Sequence, residues 1–206
     1  MSGLRERQKA DRHRRILAAA VTLFRRDGFH AVRMEDVAED AEVSVGTVYN
    51  YARTKGDLLM ATVSLEVEEV LATGEAILAD PPAGAAEALL ALVAHYYDHS
   101  LHYLTKPMWR AAIALSVEAP GTPEGRRYAE LDARLARQVT GLIERLQARG
   151  RLDPGLDPGP LGEVAFAALN ALFIEFVKDE TMTLDTLKAR AAAQMRPLAR
   201  LMKARG

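Results

Sequence analysis

Apolar side chains recur every three or four residues along almost the whole chain, the spacing of one buried face of an α-helix. Ile16, Ala20, Leu23 and Phe24 form one such series, ending at Asp27-Gly28, where glycine suits a helix C-terminus. Two short segments follow, Met34–Ala41 and Val45–Tyr51, separated by Glu42-Val43-Ser44. A longer helix starts near Lys55 and runs toward Ala79, where Asp80-Pro81-Pro82-Ala83-Gly84 breaks it. Helices are predicted next at about Ala85–Leu104, stopped by Thr105-Lys106-Pro107, and at Met108–Val117, closed by Pro120-Gly121-Thr122-Pro123. Leu131, Leu135, Val139, Leu142 and Leu146 mark a long amphipathic helix that stops at Gly150. A linker rich in glycine and proline over 150–160 leads to two last helices, Leu161–Val177 and Leu184–Lys203. No convincing run alternates with period two. The pattern predicts an all-α chain of about nine helices.

The two short segments read as a helix-turn-helix over 34–51, with its lead-in from residue 32. Val37, Ala38, Ala41, Val43, Val48 and Tyr51 stand where the two helices must touch, and Ala38 is small enough for a close crossing. Ser44 is suited to cap the second helix by accepting from the N–H of Gly46 or Thr47. Val45, Gly46, Thr47, Tyr49 and Asn50 are left facing outward. An ordinary solvated face would be rich in Lys and Glu instead. Hydroxyls can reach phosphates, an asparagine a base edge and a valine a thymine methyl, so these residues are candidate DNA contacts.

Charge sharpens this picture through its distribution. The net charge is −1, which by itself does not suggest nucleic acid. Residues 1–56 hold 11 basic against 8 acidic side chains, and residues 57–206 hold 16 against 20. Arg5, Arg7, Lys9, Arg12, Arg14 and Arg15 crowd the start, which fits polyanion binding at one end. The absence of cysteine excludes a disulfide framework, cysteine-ligated zinc and a thiol nucleophile. No apolar run follows the first residues, so no signal peptide is expected. Ala165–Val177, interrupted by Asn170 and Glu175, reads as too short and too polar to span a bilayer. A cytoplasmic protein with no membrane contact is expected.

Residues 14–60 closely resemble the N-terminal domain of the TetR family of regulators. The shared pattern is Leu23-Phe24, Gly28-Phe29, Val37-Ala38, Val43-Ser44-x-Gly46-Thr47-x-Tyr49-x-Tyr51, then Lys55 and Leu58-Leu59. The resemblance implies a DNA-binding repressor without enzymatic activity that binds a palindromic operator as a homodimer and is released by a small-molecule effector. It implies a DNA-binding part over residues 1–55, with a basic arm at Arg5, Arg7 and Lys9. It also implies an effector-binding and dimerisation part over 56–206. Gly46, Thr47, Tyr49 and Lys55 become phosphate contacts; Arg33, Ser44, Val45, Asn50 and Tyr51 complete the candidate DNA face. The chain departs from the pattern in four places. Glu42 stands in the turn where Gly is usual, a position open to φ > 0, where a side chain costs about 1–2 kcal/mol. Val45 replaces a frequent Lys or Arg, Ala52 a usual Phe, and Val32-Arg33 a Thr/Ser pair that caps the next helix, which Arg33 cannot do.

In the last helices, Leu161, Val164, Ala165, Ala168, Leu169, Leu172 and Phe176 form one stripe, widened by Phe166, Phe173 and Ile174. Leu184, Leu187, Ala191, Met195, Leu198 and Met202 repeat as a helix-pairing seam. An intramolecular core would use both stripes, and so would a partner subunit; the resemblance favours a homodimer through the last two helices. Tyr96, His99, Tyr103, Trp109, Phe166, Asn170 and Phe173 are the candidate effector-binding residues, aromatic walls with a few polar groups. No cofactor is expected. His95, His99 and His102 lie on one helix face, which gives the competing reading, a helical metal-binding protein or enzyme.

Overall fold

The structure, a computed structural model, describes residues 2–203, with nothing said of the side chains of Ser2 and Leu4. Among these residues there are nine helices and no strand: α1 (Ser2–Asp27), α2 (Met34–Asp40), α3 (Val45–Tyr51), α4 (Lys55–Ala79), α5 (Ala85–His99), α6 (Lys106–Glu118), α7 (Pro123–Ala148), α8 (Pro158–Lys178) and α9 (Leu184–Leu201). The order follows the hydrophobic pattern. Among the helix C-termini the largest difference is α5, which ends five residues early because Ser100 caps it by donating to Tyr97 O and the chain turns through 101–103. The expected N-terminal arm is helical, forming the first turns of α1.

Two compact units are formed. One holds the chain up to Leu65 together with Tyr103–Ala129; the other holds Glu66–His102 and the chain from Glu130 on. Packing thus groups α6 with the N-terminal helices, whereas the line at 55/56 read from the sequence was drawn by function.

In the first unit α1 buries Ile16, Ala19, Ala20, Leu23 and Phe24. It ends where Gly28 takes φ 86° and donates to Phe24 O, with Arg25 and Arg26 in the last turn to complement the helix dipole. Seven-residue helices such as α2 and α3 are too short to persist alone. Val37, Ala38 and Val48, each at most 2% exposed, lock them together. Asp57 fixes the start of α4: its carboxylate accepts from the N–H groups of Arg53 and Thr54, while Thr54 Oγ1 accepts from Asp57 N–H.

In the second unit α9 packs on α5 and α8. Leu187, Ala191, Met195 and Met202 are buried there, so the stripe expected to pair two subunits is used inside the subunit. The apolar residues that α9 leaves exposed are Ala189, Ala193, Pro197 and Leu201, beside Arg196 and Arg200, and those of α8 are Val164, Ala167 and Ala171, beside Glu163 and Glu175. α8 is also longer than its apolar run suggests: by length and composition its 21 residues could cross a membrane, yet Ala165, Leu169, Leu172 and Phe176 are buried core. α7 and α8 cross at Gly162, where a Cβ would lie 2.8 Å from Thr140 Cα. Eight residues along each helix, Asp132 meets Asn170, whose Nδ2 donates at 3.5 Å. That is the carboxylate's one polar partner among the described residues. Burial pushes this acid up from 3.8 to about 6, against the smaller opposing effect of the Asn170 bond.

Two stability predictions arise. Gly162→Ala should destabilise by about 1–3 kcal/mol, because the crossing backbone cannot retreat; urea denaturation measures it. Asp132→Asn should stabilise. Between the unfolded and folded pKa values the folded chain holds the extra proton, so stability falls as pH rises through about 4 to 6 and the full penalty is present above. The variant should gain about 1–2 kcal/mol near pH 7.5, discounted for partial exposure, and almost nothing near pH 4.

Candidate nucleic-acid interface

α2 ends in a closed backbone loop. Val43 N–H donates to Ala38 O and Glu42 N–H to Glu39 O, both at 3.0 Å, the Schellman arrangement with a left-handed residue just past the helix. Here that residue is Glu42, the one non-glycine with positive φ, 52°, among the described residues. α7 ends in the same pattern with Gly150, φ 68°. The strain expected from the sequence is present. The carboxylate of Glu42 lies 3.9 Å from Arg15 on α1, an exposed pair that offsets little of it.

From this turn α3 emerges with its N-terminus capped as expected: Ser44 Oγ accepts from Thr47 N–H at 3.2 Å, and the Ser44 and Thr47 hydroxyls are 2.8 Å apart. Val48 faces the core. Tyr51 is half-buried, its ring 4.4 Å from that of His13 on α1, and burial pushes its phenol up. Tyr51 is therefore scaffold before it is a contact. Gly46, Tyr49 and Asn50, at i, i+3 and i+4, share the outward face, flanked by Val45; all four are exposed, Tyr49 at 46%. Nothing crowds Gly46: a Cβ there would meet only Ser44 Oγ, at 3.9 Å. Glycine in a helix interior costs about 1 kcal/mol relative to alanine, and packing does not require this one.

The cations divide into two groups. Arg33 does not cap α2, as its chemistry dictates. Asp36 takes over by accepting from Arg33 N–H at 2.7 Å, and it also holds the guanidinium at 3.4 Å. Lys55 Nζ donates to Phe29 O and His30 O at 3.1 and 2.8 Å and lies over the Phe29 ring, so it fastens the α1–α2 loop. Arg14 and Arg15 face Asp11. Arg5, Arg7, Lys9, Arg12 and Arg53 are exposed and have no ion pair among the described residues. Lys9 and Arg12 flank His13, whose imidazole is pushed below its ordinary value by burial first and by these two charges second; they therefore stand beside the Tyr51 end of α3. Arg53, in the α3–α4 turn, escaped the sequence reading because no periodicity marks a turn residue.

The candidate effector residues fall in both units. Tyr103 and Trp109 belong to the first, where Trp109 is buried on α6. In the second, Tyr96 donates to Gln138 Oε1 at 2.7 Å, and Gln138 donates in turn to Leu71 O and Glu75. Burial, with Glu75 adding, pushes the Tyr96 phenol far up. His99 Nδ1 is 2.6 Å from the buried Glu66. Phe173 stacks on Tyr97 at 6.1 Å. Phe166 and Asn170 are half-buried on the same flank of α8. The three histidines are used separately: His95 bonds Thr73, His99 bonds Glu66, and His102 sits 5.2 Å from the His99 ring. Among the described residues no group of three or more His, Asp or Glu could hold a metal ion, so the metal-dependent reading loses its support.

Known proteins agree with this geometry. The family model described as bacterial regulatory proteins, tetR family, matches residues 16–62. The HTH-type transcriptional repressor KstR of Rhodococcus jostii is 32% identical over 146 residues, covering 69% of this chain; the match spans 61% of the length of that relative. Among solved structures, a tetR-family regulator from Mesorhizobium loti superposes with a TM-score of 0.75 at 20% identity, over 95% of this chain and 98% of its own. Thermus thermophilus FadR, a tetR-family repressor solved with lauroyl-CoA, gives 0.67 at 20% identity, over 94% and 96%. Nine helices, a locked helix-turn-helix and these matches have one reading: the chain belongs to the tetR family of bacterial regulatory proteins.

Proposed function

We propose that this chain is a non-enzymatic, cytoplasmic transcriptional repressor that binds a palindromic duplex operator as a homodimer and releases it when a small-molecule effector binds. The observation that carries the reading is the outward face of α3: Gly46, Tyr49 and Asn50 are exposed and no crowding requires Gly46, while Val48 alone on this helix is buried in the core. Residues 1–55 are the DNA-reading part, with the helix-turn-helix over 32–51. Val45, Tyr49 and Asn50 address base edges and backbone, Ser44 and Thr47 address phosphate from the helix N-terminus, and Gly46 lets the backbone come close. Lys9, Arg12 and Arg53 supply more of the phosphate attraction than Arg33 and Lys55, which are occupied within the chain. Residues 56–206 bind effector and partner.

The homodimer forms through the faces of α8 and α9 left exposed, Val164, Ala167 and Ala171 with Ala189, Ala193 and Leu201. Their small side chains permit close helix approach, and Val164 and Leu201, 57% and 82% exposed, gain most from cover. A two-fold dimer sets two recognition helices about 34–36 Å apart, on successive major grooves. An effector that binds better to a dimer with another spacing lowers the DNA-competent fraction by population shift. T. thermophilus FadR with lauroyl-CoA is one precedent for a protein of this fold holding a small molecule.

The test is quantitative gel shift on the intergenic DNA beside the gene. Tyr49→Ala should weaken binding about 10–100-fold. Gly46→Ala should raise thermal stability slightly, by about 0.5–1 kcal/mol, yet also weaken binding. Glu42→Gly should gain about 1 kcal/mol by relieving the left-handed turn and leave operator affinity undiminished. Loss of binding in all three, or in none, overturns the assignment of the α3 face. Val164→Glu should halve the mass seen by light scattering while leaving the helical circular dichroism intact; a monomeric wild type would sink the interface.

A further inference from the structure

The second unit holds a carboxylate that its own packing does not explain. Asp132 on α7 is mostly buried, and its one polar partner among the described residues is the Asn170 amide at 3.5 Å, the outer limit of a hydrogen bond. The residues of α7 that share its face, Tyr128, Ala129, Leu135 and Ala136, include no cation that could neutralise it. Buried acids are normally paired, because an uncompensated charge in an apolar setting is expensive. Asp132 is left with acceptor capacity to spare, as is Asn170, whose carbonyl oxygen has no donor among the described residues. Both residues keep some accessible surface, so a ligand can reach them.

The surroundings specify the ligand's chemistry. Gly162 against Thr140 and Asn170 against Asp132 fix the antiparallel register of α8 on α7. Phe166 and Phe173, four residues before and three after Asn170, lie on the same half-buried flank of α8. The register sets Ala136, not a larger side chain, across from Phe166. Phe173 is held by stacking on Tyr97, whose hydroxyl is tied to Leu169 O at 2.9 Å. Two hydrogen-bond acceptors, one of them an acid, set between aromatic rings fit a cation that carries N–H donors and an apolar body.

We propose that Asp132 and Asn170, flanked by Phe166 and Phe173, form the recognition site for a protonated amine, the cationic head of an apolar effector. This rests on the reading of residues 56–206 as the effector-binding part, but not on the DNA assignment. The raised carboxyl agrees with it: a carboxylate kept at a cost to the free protein is stabilised when an ammonium arrives.

The experiment is direct binding to the full chain near pH 7.5, by calorimetry and thermal shift, with hexylammonium, hexanoate and 1-hexanol as matched probes. Hexylammonium should bind and raise the melting temperature, and the other two should not. Asp132→Asn should reduce hexylammonium affinity on the order of 10–100-fold, the loss of one charge-assisted bond, while itself being more stable than wild type, so that lost binding is not lost folding. Asn170→Leu should weaken binding by a smaller factor. Equal binding of the three probes, unchanged affinity in Asp132→Asn, or no hexylammonium binding at millimolar concentration overturns the site. Operator gel shift on the same proteins separates the two failures: a chain that binds DNA but no amine refutes this inference alone, and a chain that binds amine but no DNA refutes only the repressor reading.

Discussion

The burial of Val48, Val37 and Ala38 between α2 and α3 is the contact on which the proposed DNA-facing surface depends. α3 has seven residues, too few to stay helical by backbone hydrogen bonds alone. Its direction is set by that apolar contact on one side and by the closed turn from Ala38 to Ser44 on the other. The turn needs a left-handed residue, and the chain supplies Glu42 where it supplies Gly150 at the end of α7. Once the axis of α3 is fixed, its 3.6-residue period assigns every other role: Val48 inward, Tyr51 against His13, and Gly46, Tyr49 and Asn50 outward. The outward face of α3 is thus what remains after the core has taken what it needs.

Electrostatics around this surface are decided by which cations are already engaged. A guanidinium held by a carboxylate must give it up before binding phosphate, and an ammonium capping two carbonyls orders a loop instead of reaching outward. Arg33 and Lys55 are of that kind. Lys9, Arg12 and Arg53 are not, and their attraction for a polyanion is unspent and salt-dependent. Because α1 is helical from its first turns, its basic side chains ride on a helix that carries Ile16 and Ala20 into the core. They need less ordering on binding than an unstructured arm would.

Much of this was legible in the sequence, and the exceptions have physical causes. The nine helices, the bounds of α3 and the Ser44 cap follow from local spacing and local chemistry, and the strained Glu42 from the family pattern that has glycine in that turn. Periodicity cannot say what covers an apolar stripe, however. The Leu187–Ala191–Met195 series has the spacing of a subunit seam, and α5 and α8 cover it inside the chain. The smaller stripe behind it, through Ala189 and Ala193, carried no signal because alanine is equally at home on either side of a helix. Nor does spacing reveal which partner a polar group finds. Tyr96 and His99 read as free pocket groups and are bound to Gln138 and Glu66. Asp132 carries no signal in the sequence, because only the crossing with α8 makes it a buried acid.

Three positions depart from what stability alone would select. Glu42 holds a backbone conformation made for glycine. Gly46 leaves a helix without a side chain where there is open room for one. Asp132 keeps a carboxyl in a setting that raises its pKa toward 6. Here each adjoins a surface that packing leaves unsatisfied: the turn and face of α3 for the first two, the α7–α8 flank for the third. Local rules fail most often where a sequence answers to something besides its own fold. By that criterion the α3 face and the Asp132–Asn170 pair are the two places at which this chain is built for a second molecule. Glu42 is the weakest of the three, because its carboxylate adds negative charge beside the proposed phosphate-binding surface, and among the described residues its strain is offset only by one long ion pair to Arg15. Gly46 has no in-chain offset, and the long Asn170 bond offsets only a small part of the cost at Asp132.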